Sequence, residues 1–356
     1  MADGTRKPIT EIRDGDRVLT KDGPLRARGV RSSGVRRVGR LTLANGMAVR
    51  CTPDHPIFTQ RGWVDAGDLT PNDFVRVARE LPCGHESVPP RLPALLGYAL
   101  SEGSLGYDSH FYLYSTNPDE LDDMRRTLEA FDNTVARTER RRDGRAPSVR
   151  PARVDRSRPS GAVVFLFGAC GLQGKGALQK RVPASVDRWN VETVAILVAK
   201  LFQGDGCIHA KTKSIFYATS SRGLSEDVQR LLLKLGIPST VHTKHFKYRG
   251  GLRIGYTVNL LGGRNTYARF QTLVGPHLVG TKPAALTALV ASYHSTKKLM
   301  ARGSVDIVPA ALYREPLCEA TLKRFPSLKA GCRTLGVSYR LLFSDSRKRG
   351  MRRDTL

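Results

Sequence analysis

The chain has 356 residues, long enough for two or three domains, each with a buried core. An apolar content of 40%, with modest Gly and Pro, excludes a disordered or collagen-like chain. The 58 basic residues against 32 acidic ones give a net charge of +26, which attracts polyanions, nucleic acid first among them. Arg outnumbers Lys, and its planar fork suits phosphate and guanine edges.

The cysteines stand at 51, 83, 170, 207, 318 and 332 with no CxxC pair, which argues against a structural zinc site or a disulfide framework. A reducing cytoplasm is the expected location. The N-terminus is polar and reads without a signal peptide. No apolar run reaches the ~18 residues of a membrane helix.

Residues 1–80 read as all-β. Short alternating stretches at Asp16 to Thr20, Val38 to Leu43, Met47 to Cys51 and Phe74 to Ala78 are broken by DG, GP, NG and PND turn signals. Residues 81–93 hold Pro82, Pro89, Pro90 and Pro93 and read as a linker.

Two acid-ended segments follow, LLGYALSEG from Leu95 to Gly103 and VAKLFQGDG from Val198 to Gly206. Their acids, Glu102 and Asp205, lie 103 residues apart. Similar sequence follows each: Phe111 to Phe131 after the first, Phe216 to Gly236 after the second. Both stretches read as a strand, a polar turn and an amphipathic helix. In the second, Leu224, Val228, Leu231, Leu232 and Leu235 form the apolar stripe. Two strand-like runs then close each copy, Thr134 to Thr138 with Ala162 to Phe167, and Thr240 to Tyr248 with Ile254 to Leu261. Arg137 to Arg158 reads as an Arg-dense loop, and Arg249-Gly250-Gly251 as a hairpin turn. This is a duplicated α/β (α+β) module with an internal pseudo-twofold, spanning 94–190 and 191–300. Residues 301–356 read as a helical, basic extension ending in a mobile tail with Arg347, Lys348, Arg349, Arg352 and Arg353.

Small residues four apart, such as Gly97 and Ser101, share a helix face and let two helices approach closely. Lys200 and Gly204 hold the matching places in the second segment. The carboxylates would then sit side by side. Two such acids repel, and a divalent cation offsets that repulsion. Oxygen ligands select Mg2+ or another hard divalent cation, which can serve phosphodiester cleavage.

The segments resemble the LAGLIDADG (DOD-type) homing endonucleases in their single-chain, two-motif form. Lys180-Arg181-Val182-Pro183 resembles that family's K-x-I/V-P block, and Ala218 to Ser239 its second strand-turn-helix block. The resemblance covers about residues 90–310, with Lys200 standing where a small interface residue is usual and Glu102 where Asp is usual. It implies two pseudo-symmetric αββαββα repeats, with Glu102 and Asp205 as metal-binding catalytic acids. It also implies a lysine near each scissile phosphate. Lys180 and Lys282 follow their acids by 78 and 77 residues and are the candidates. The repeated sheets would lie along double-stranded DNA. Arg137, Arg140, Arg141 and Arg142 are the candidate DNA contacts of the first copy. Lys244, His245, Lys247, Tyr248, Arg249 and Arg253 are those of the second. A monomer would act as a pseudo-dimer, with no membrane partner.

Upstream, Thr52-Pro53-Asp54-His55 in VRCTPDHPIFTQRGW resembles the T-x-x-H block of the Hint fold found in inteins, and the first twenty residues resemble an intein's opening block. In that family Thr and His activate a scissile peptide next to a Cys or Ser nucleophile. Here the sequence starts at Met1 and finishes Arg353-Asp354-Thr355-Leu356, without the nucleophile or a terminal His-Asn pair. Thr52 and His55 are therefore expected to be splicing relics in a partial Hint region, and His55 reads equally as a structural histidine of a β-fold.

Together these readings describe an intein-derived endonuclease making a metal-dependent double-strand break in a long DNA target; the host protein of the intein is not revealed. The alternatives are an intein fragment that splices only with missing terminal segments, and a LAGLIDADG protein that binds DNA without cutting.

Overall fold

The computed structural model describes residues 1–140, 146–248, 250–261, 263–294, 307–308, 310–334, 339 and 351–352. Three separate antiparallel hairpins open the chain: β1 (Arg17–Thr20) with β2 (Gly23–Arg26), β3 (Gly39–Thr42) with β4 (Ala48–Cys51), and β5 (Pro56–Thr59) with β6 (Gly62–Asp65). The turn between β3 and β4 is built on Asn45-Gly46. Gly46 takes φ +83, and the Asn45 side chain accepts from the Met47 amide at 3.0 Å. Phe74 to Ala78 forms no strand, only a bridge between Val75 and Thr59. Among the described residues, no apolar side chain before Ala94 is fully buried. These hairpins therefore have no hydrophobic core of their own.

Contacts divide the chain into two compact units, Met1–Ser32 with Ala78–Ala301, and Ser33–Val77 with Arg302–Leu356. The first carries two successive series of helices and strands. It begins with α1 (Arg91–Glu102), β7 (Gly103–Ser104), β8 (Tyr112–Tyr114), α2 (Pro118–Glu129), β9 (Thr134–Glu139) and β10 (Ser148–Arg153). A short helix, α3 (Gly161–Val163), runs on as a π-helix over Val164–Ala169. Next come α4 (Val191–Gly204), β11 (Gly206–His209), β12 (Ser214–Thr219), α5 (Arg222–Lys234), β13 (Ser239–Tyr248) and β14 (Gly251–Leu260). The unit closes with α6 (Arg264–Leu273) and α7 (Lys282–His294). The sheets run β7-β8-β10-β9 and β11-β12-β14-β13, the same order twice.

Side-chain caps start these helices, at Ser221 for α5 rather than at Ser225 and Asp227, which lie inside it. Asn117 accepts from the Asp119 amide at 2.9 Å with Pro118 in the first turn, Asn190 from Thr193, and Ser221 from Leu224. The leucine stripe of α5 is buried as expected. One cluster of buried side chains joins both halves, from Leu95 to Val290, with Tyr98, Phe111, Phe202, Tyr217 and Phe270 among its largest members.

Two expectations fail, for related reasons. Ala162 to Phe167 is helical, not a strand; Ala162 and Leu166, four apart, are its buried residues. Aromatic and β-branched content misleads there, because tertiary packing overrides propensity. The missing strand is β10, inside what reads as an Arg-dense loop. Its Val149 and Pro151 are buried with Arg150 between them on the other face, but Arg153 follows on the inward parity and is exposed, so arginines on both faces mask the alternation.

The two copies are also offset by one residue from the phenylalanine alignment. Gly103 pairs with Leu113, and Gly206 with Tyr217. Leu113 and Tyr217 are thus counterparts, both fully buried, whereas Phe111 is buried and Phe216 is not. A slip of one exchanges the faces of a strand, so this decides which residues reach the core.

The proline-rich stretch 81–93 is a strap rather than a tether. Leu81 N bonds Leu233 O, and Glu86 N bonds Arg188 O at 2.9 Å. The first residues are tied to the same place, since Lys234 Nζ donates to Gly4 O at 2.8 Å and to Pro82 O at 3.2 Å.

In the second unit β15 (Ile307–Val308) pairs with β16 (Met351–Arg352). Helices α8 (Ala310–Arg324) and α9 (Leu328–Thr334) occupy part of the stretch read as helical. Arg347, Lys348, Arg349 and Arg353 lie outside the described residues. Among the described residues no helix is long and apolar enough to cross a membrane.

Candidate active site

Helices α1 and α4 are buried over most of their length, Pro93 to Leu100 in one and Thr193 to Gln203 in the other. They pack at glycines. A Cβ on Gly97 would lie 2.6 Å from Lys200 Cβ, and one on Gly204 would lie 2.4 Å from Ser101 Oγ and 2.8 Å from Glu102 Cγ. Only hydrogen fits at both places. Close approach brings the C-terminal ends of the helices together, with Glu102 as the last residue of α1 and Asp205 capping α4.

Lys200 does not obstruct this packing. Its Cβ sits at the interface, while its ammonium bonds Asp123 Oδ2 at 2.6 Å and His277 O at 2.8 Å and lies over the Tyr98 ring at 5.5 Å. Tyr98 OH donates to the same Asp123 oxygen at 2.5 Å.

A carboxylate at a helix C-terminus meets the negative end of the macrodipole. Two lysines offset this. Lys180 Nζ donates to Leu100 O at 3.1 Å and Gly103 O at 2.8 Å. Lys282 Nζ donates to Phe202 O at 2.8 Å, Gly206 O at 2.9 Å and also to Gln203 O. The structure thus brings together the four residues singled out by the sequence, one acid and one lysine per helix end.

Burial dominates the electrostatics. It pushes Glu102 up to about 7, helped by the charges of Asp205 and Glu120 and opposed by both lysines. It pushes Asp205 up to about 6, against the pull of Lys180 and Lys282. It brings Lys180 down to about 8, although Asp205 and Glu102 pull the other way, and it also lowers Lys282. Neither Glu102 nor Asp205 forms an ion pair with a described residue. Tyr217 OH is buried beside Asp205 without a well-formed hydrogen bond. A third carboxylate, Glu120, is satisfied by Ser115 Oγ at 2.5 Å and Gln203 Nε2 at 2.7 Å.

A cleft of 420 Å³ opens beside these groups, between Ser101, Lys180 and Asp205 on one side and Thr219, Lys244 and Tyr256 on the other. Strand register sorts the basic candidates. In β13 and β14, Val241 pairs with Val258 on the core face, and His245 and Lys247 fall on that same face. Lys244 and Arg253 fall on the open face, so only alternate members of the basic hairpin share the cleft side. Tyr248 pairs with Gly251 at the end of the hairpin, while Arg249 lies outside the described residues.

On the first sheet Arg137 pairs with Arg150 across β9 and β10, also on the open face. Arg140 is exposed just past β9, and Arg141 and Arg142 lie outside the described residues. A hollow of 600 Å³ there is lined by Arg137, Arg150, Arg153, Arg156 and His110. Tyr107 stacks on His110 at 4.7 Å and meets Tyr112 edge-on at 5.3 Å. Sequence reasoning missed Arg150, Arg153, Arg156 and Tyr112. The signal for Arg150 was its place between Val149 and Pro151; Arg153 and Arg156 carried none.

Thr52 and His55 share a tight turn, with His55 N bonded to Thr52 O at 3.1 Å. His55 is exposed, so it is not a histidine satisfied in a core. Asp54 between them is paired with Arg36 at 3.0 Å.

Residues 192–275, from the first turn of α4 to just past α6, match the LAGLIDADG-like domain. The chain is similar to the replicative DNA helicase DnaB of Rhodothermus marinus, 30% identical over 362 residues, which is 95% of this chain and 37% of the relative. It is similar to protein RecA of Mycobacterium tuberculosis, 30% identical over 259 residues, covering 67% of this chain and 31% of that protein. The chain thus spans about a third of the length of these relatives. It is also similar to I-DmoI, solved in complex with DNA and Mn, at 15% identity and a TM-score of 0.37 over 53% of this chain and 98% of that one.

Proposed function

We propose that this chain is an intein-borne LAGLIDADG endonuclease that makes a metal-dependent double-strand break in DNA. The observation that carries the reading is the pair of buried carboxylates, Glu102 and Asp205, at adjoining helix ends, each backed by a lysine on the same helix carbonyls. The copies belong to one duplicated module, as the repeated strand order supports.

The site fits a divalent cation. Two desolvated acids with raised pKa values and no cationic partner within ion-pairing distance are groups that a metal would relieve. No described group of three or more His, Cys, Asp or Glu side chains could hold a metal, so the remaining ligands would be water and phosphate oxygens. When bound, a hard cation such as Mg2+ activates water and stabilises the leaving oxygen. Glu102 and Asp205 would hold it. Lys180 and Lys282 fix the helix ends that carry these acids. Lys180 has three N–H bonds and gives two to carbonyls, so one remains for a water or phosphate oxygen in the cleft it lines. Lys244 and Arg253 on one sheet, with Arg137 and Arg150 on the other, supply phosphate and base contacts.

The intein part of the reading rests on the relatives. One sequence that matches a third of a helicase and a third of a recombinase behaves as an element inserted in different hosts. Thr52 and His55 in their exposed turn are then the remnant of splicing machinery.

The test is strand cleavage. The protein is incubated with a library of long duplexes and magnesium, and cut ends are sequenced. A protein that selects duplexes from the library but leaves both strands intact with magnesium or manganese is a binding protein, and the endonuclease reading falls.

A further inference from the structure

Lys180 belongs to the end of the first copy, yet the residues that hold its backbone come from the second. Ser221, the buried residue that caps α5, donates its hydroxyl to Lys180 O at 2.9 Å. Asp227, one turn and a half further on and 1% exposed, takes the Arg181 guanidinium by two bonds of 2.7 and 3.0 Å. The same carboxylate accepts from Val182 N at 3.0 Å. Gly223 completes the cradle, since a Cβ there would lie 2.2 Å from Arg181 Cδ. Three consecutive residues, 180 to 182, are thus fixed at a carbonyl, a side chain and an amide by one helix.

The other lysine has no such clamp. Its segment passes the first turn of α2, where a Cβ on Gly280 would lie 3.1 Å from Asn117 Nδ2 and from Asp119 Oδ2. No hydrogen bond from α2 to residues 280–282 is formed among the described contacts.

We propose that Ser221 and Asp227 are positioning residues for Lys180, and that this clamp governs cleavage of one DNA strand and not the other. The proposal rests on the endonuclease reading above. The two bonds from Lys180 Nζ to the end of α1 require its backbone to stay where Ser221 and Asp227 hold it. A displacement on the order of 1 Å costs about a hundredfold in a positioned reaction. Lys282 is anchored independently, through its own carbonyl contacts and the contact at Gly280.

The experiment uses the full chain and a cleavable duplex labelled separately on each strand. Single-turnover rates of both strands are compared for wild type, Ser221→Ala, Ser221→Thr and Asp227→Asn, with Tm recorded for each. The expected result is a loss on the order of tenfold to a hundredfold on one strand, with the other within about twofold, so that nicked duplex accumulates. Ser221→Thr, which keeps the hydroxyl, restores the lost rate. A second readout needs no metal and no DNA: acetylation of Lys180 by acetic anhydride, followed by mass spectrometry, rises several-fold in Ser221→Ala while that of Lys282 does not. Equal slowing of both strands with unchanged Lys180 acetylation overturns the proposal, because a general loss of stability would do that. If wild type cuts neither strand, the endonuclease reading fails alone, and the acetylation ratio still decides the clamp.

Discussion

Gly97 and Lys200 face each other across the two central helices at a distance that admits no side chain on the glycine: a Cβ there would come within 2.6 Å of Lys200 Cβ. The lysine is nevertheless accommodated, because its stem runs along the interface and its charge ends on Asp123. Closeness and charge are thus separable. Gly97→Ala should destabilise the protein by about 2 kcal/mol through overpacking. Lys200→Met should destabilise it by about 2 kcal/mol by removing the ammonium from Asp123, which keeps only the Tyr98 hydroxyl and Arg126 at 4.0 Å. Denaturant titration measures both. A Gly97→Ala variant within about 0.5 kcal/mol of wild type would refute the tight packing.

Asp205→Asn should abolish cleavage of both strands while leaving duplex affinity within a few-fold. It removes a carboxylate that would hold the cation and leaves every basic residue in place. Gel-shift and cleavage assays on the same duplex separate the two effects. Undiminished cutting by this variant would remove Asp205 from the site.

The raised pKa values of the acids predict how stability depends on pH. Glu102 stands near 7 in the folded chain against an ordinary 4.5. The folded state therefore keeps a proton that the unfolded chain has released. In the absence of divalent cations, the contribution of Glu102 to stability falls as pH rises from about 4.5 to about 7 and is level above. Glu102→Gln removes the charge. It should gain about 1 kcal/mol at pH 8, or roughly 2–4 °C in Tm, with the gain shrinking toward pH 4.5. Magnesium should reverse the order by stabilising only the wild type. Melting curves that overlay at every pH would show that the two acids are not strained by each other or by burial.

The face assignment of the basic hairpin can be checked with two lysines three residues apart. Lys244 lines the cleft with Asp205, whereas Lys247 falls on the core face of the strand. Lys244→Ala should lower the slope of log affinity against log salt by about one, and Lys247→Ala should leave it unchanged. Equal losses would mean that both faces of the hairpin touch DNA.

Much of the site was legible in the sequence, because its parts recur at one spacing. Glu102 with Asp205 and Lys180 with Lys282 repeat, and a repeat is visible without coordinates. What stayed hidden depends on partners far apart in the chain or on a masked period. Asp227 looks like a surface acid on a helix until Arg181, 46 residues earlier, is seen to fold onto it. Strand β10 vanished into an arginine-rich stretch because Arg150 and Arg153 fall on its two faces and Pro151 interrupts its centre. Lys200 looked like a fault in the helix pair, since its partner Asp123 belongs to the other copy. The phenylalanines aligned the copies one residue off, where only the pairing of Gly206 with Tyr217 shows the true register.

The two sheets share a strand order but not a reach. Strands β13 and β14 run ten residues each, whereas β9 and β10 run six. At about 3.3 Å per residue the longer arm spans roughly 33 Å and the shorter about 20 Å. The longer figure is close to one full turn of a DNA duplex. A protein whose paired acids lie between such unequal arms has a left and a right. Its footprint on DNA should extend further on one side of the break than on the other, and an even palindrome would be a poor description of what it reads.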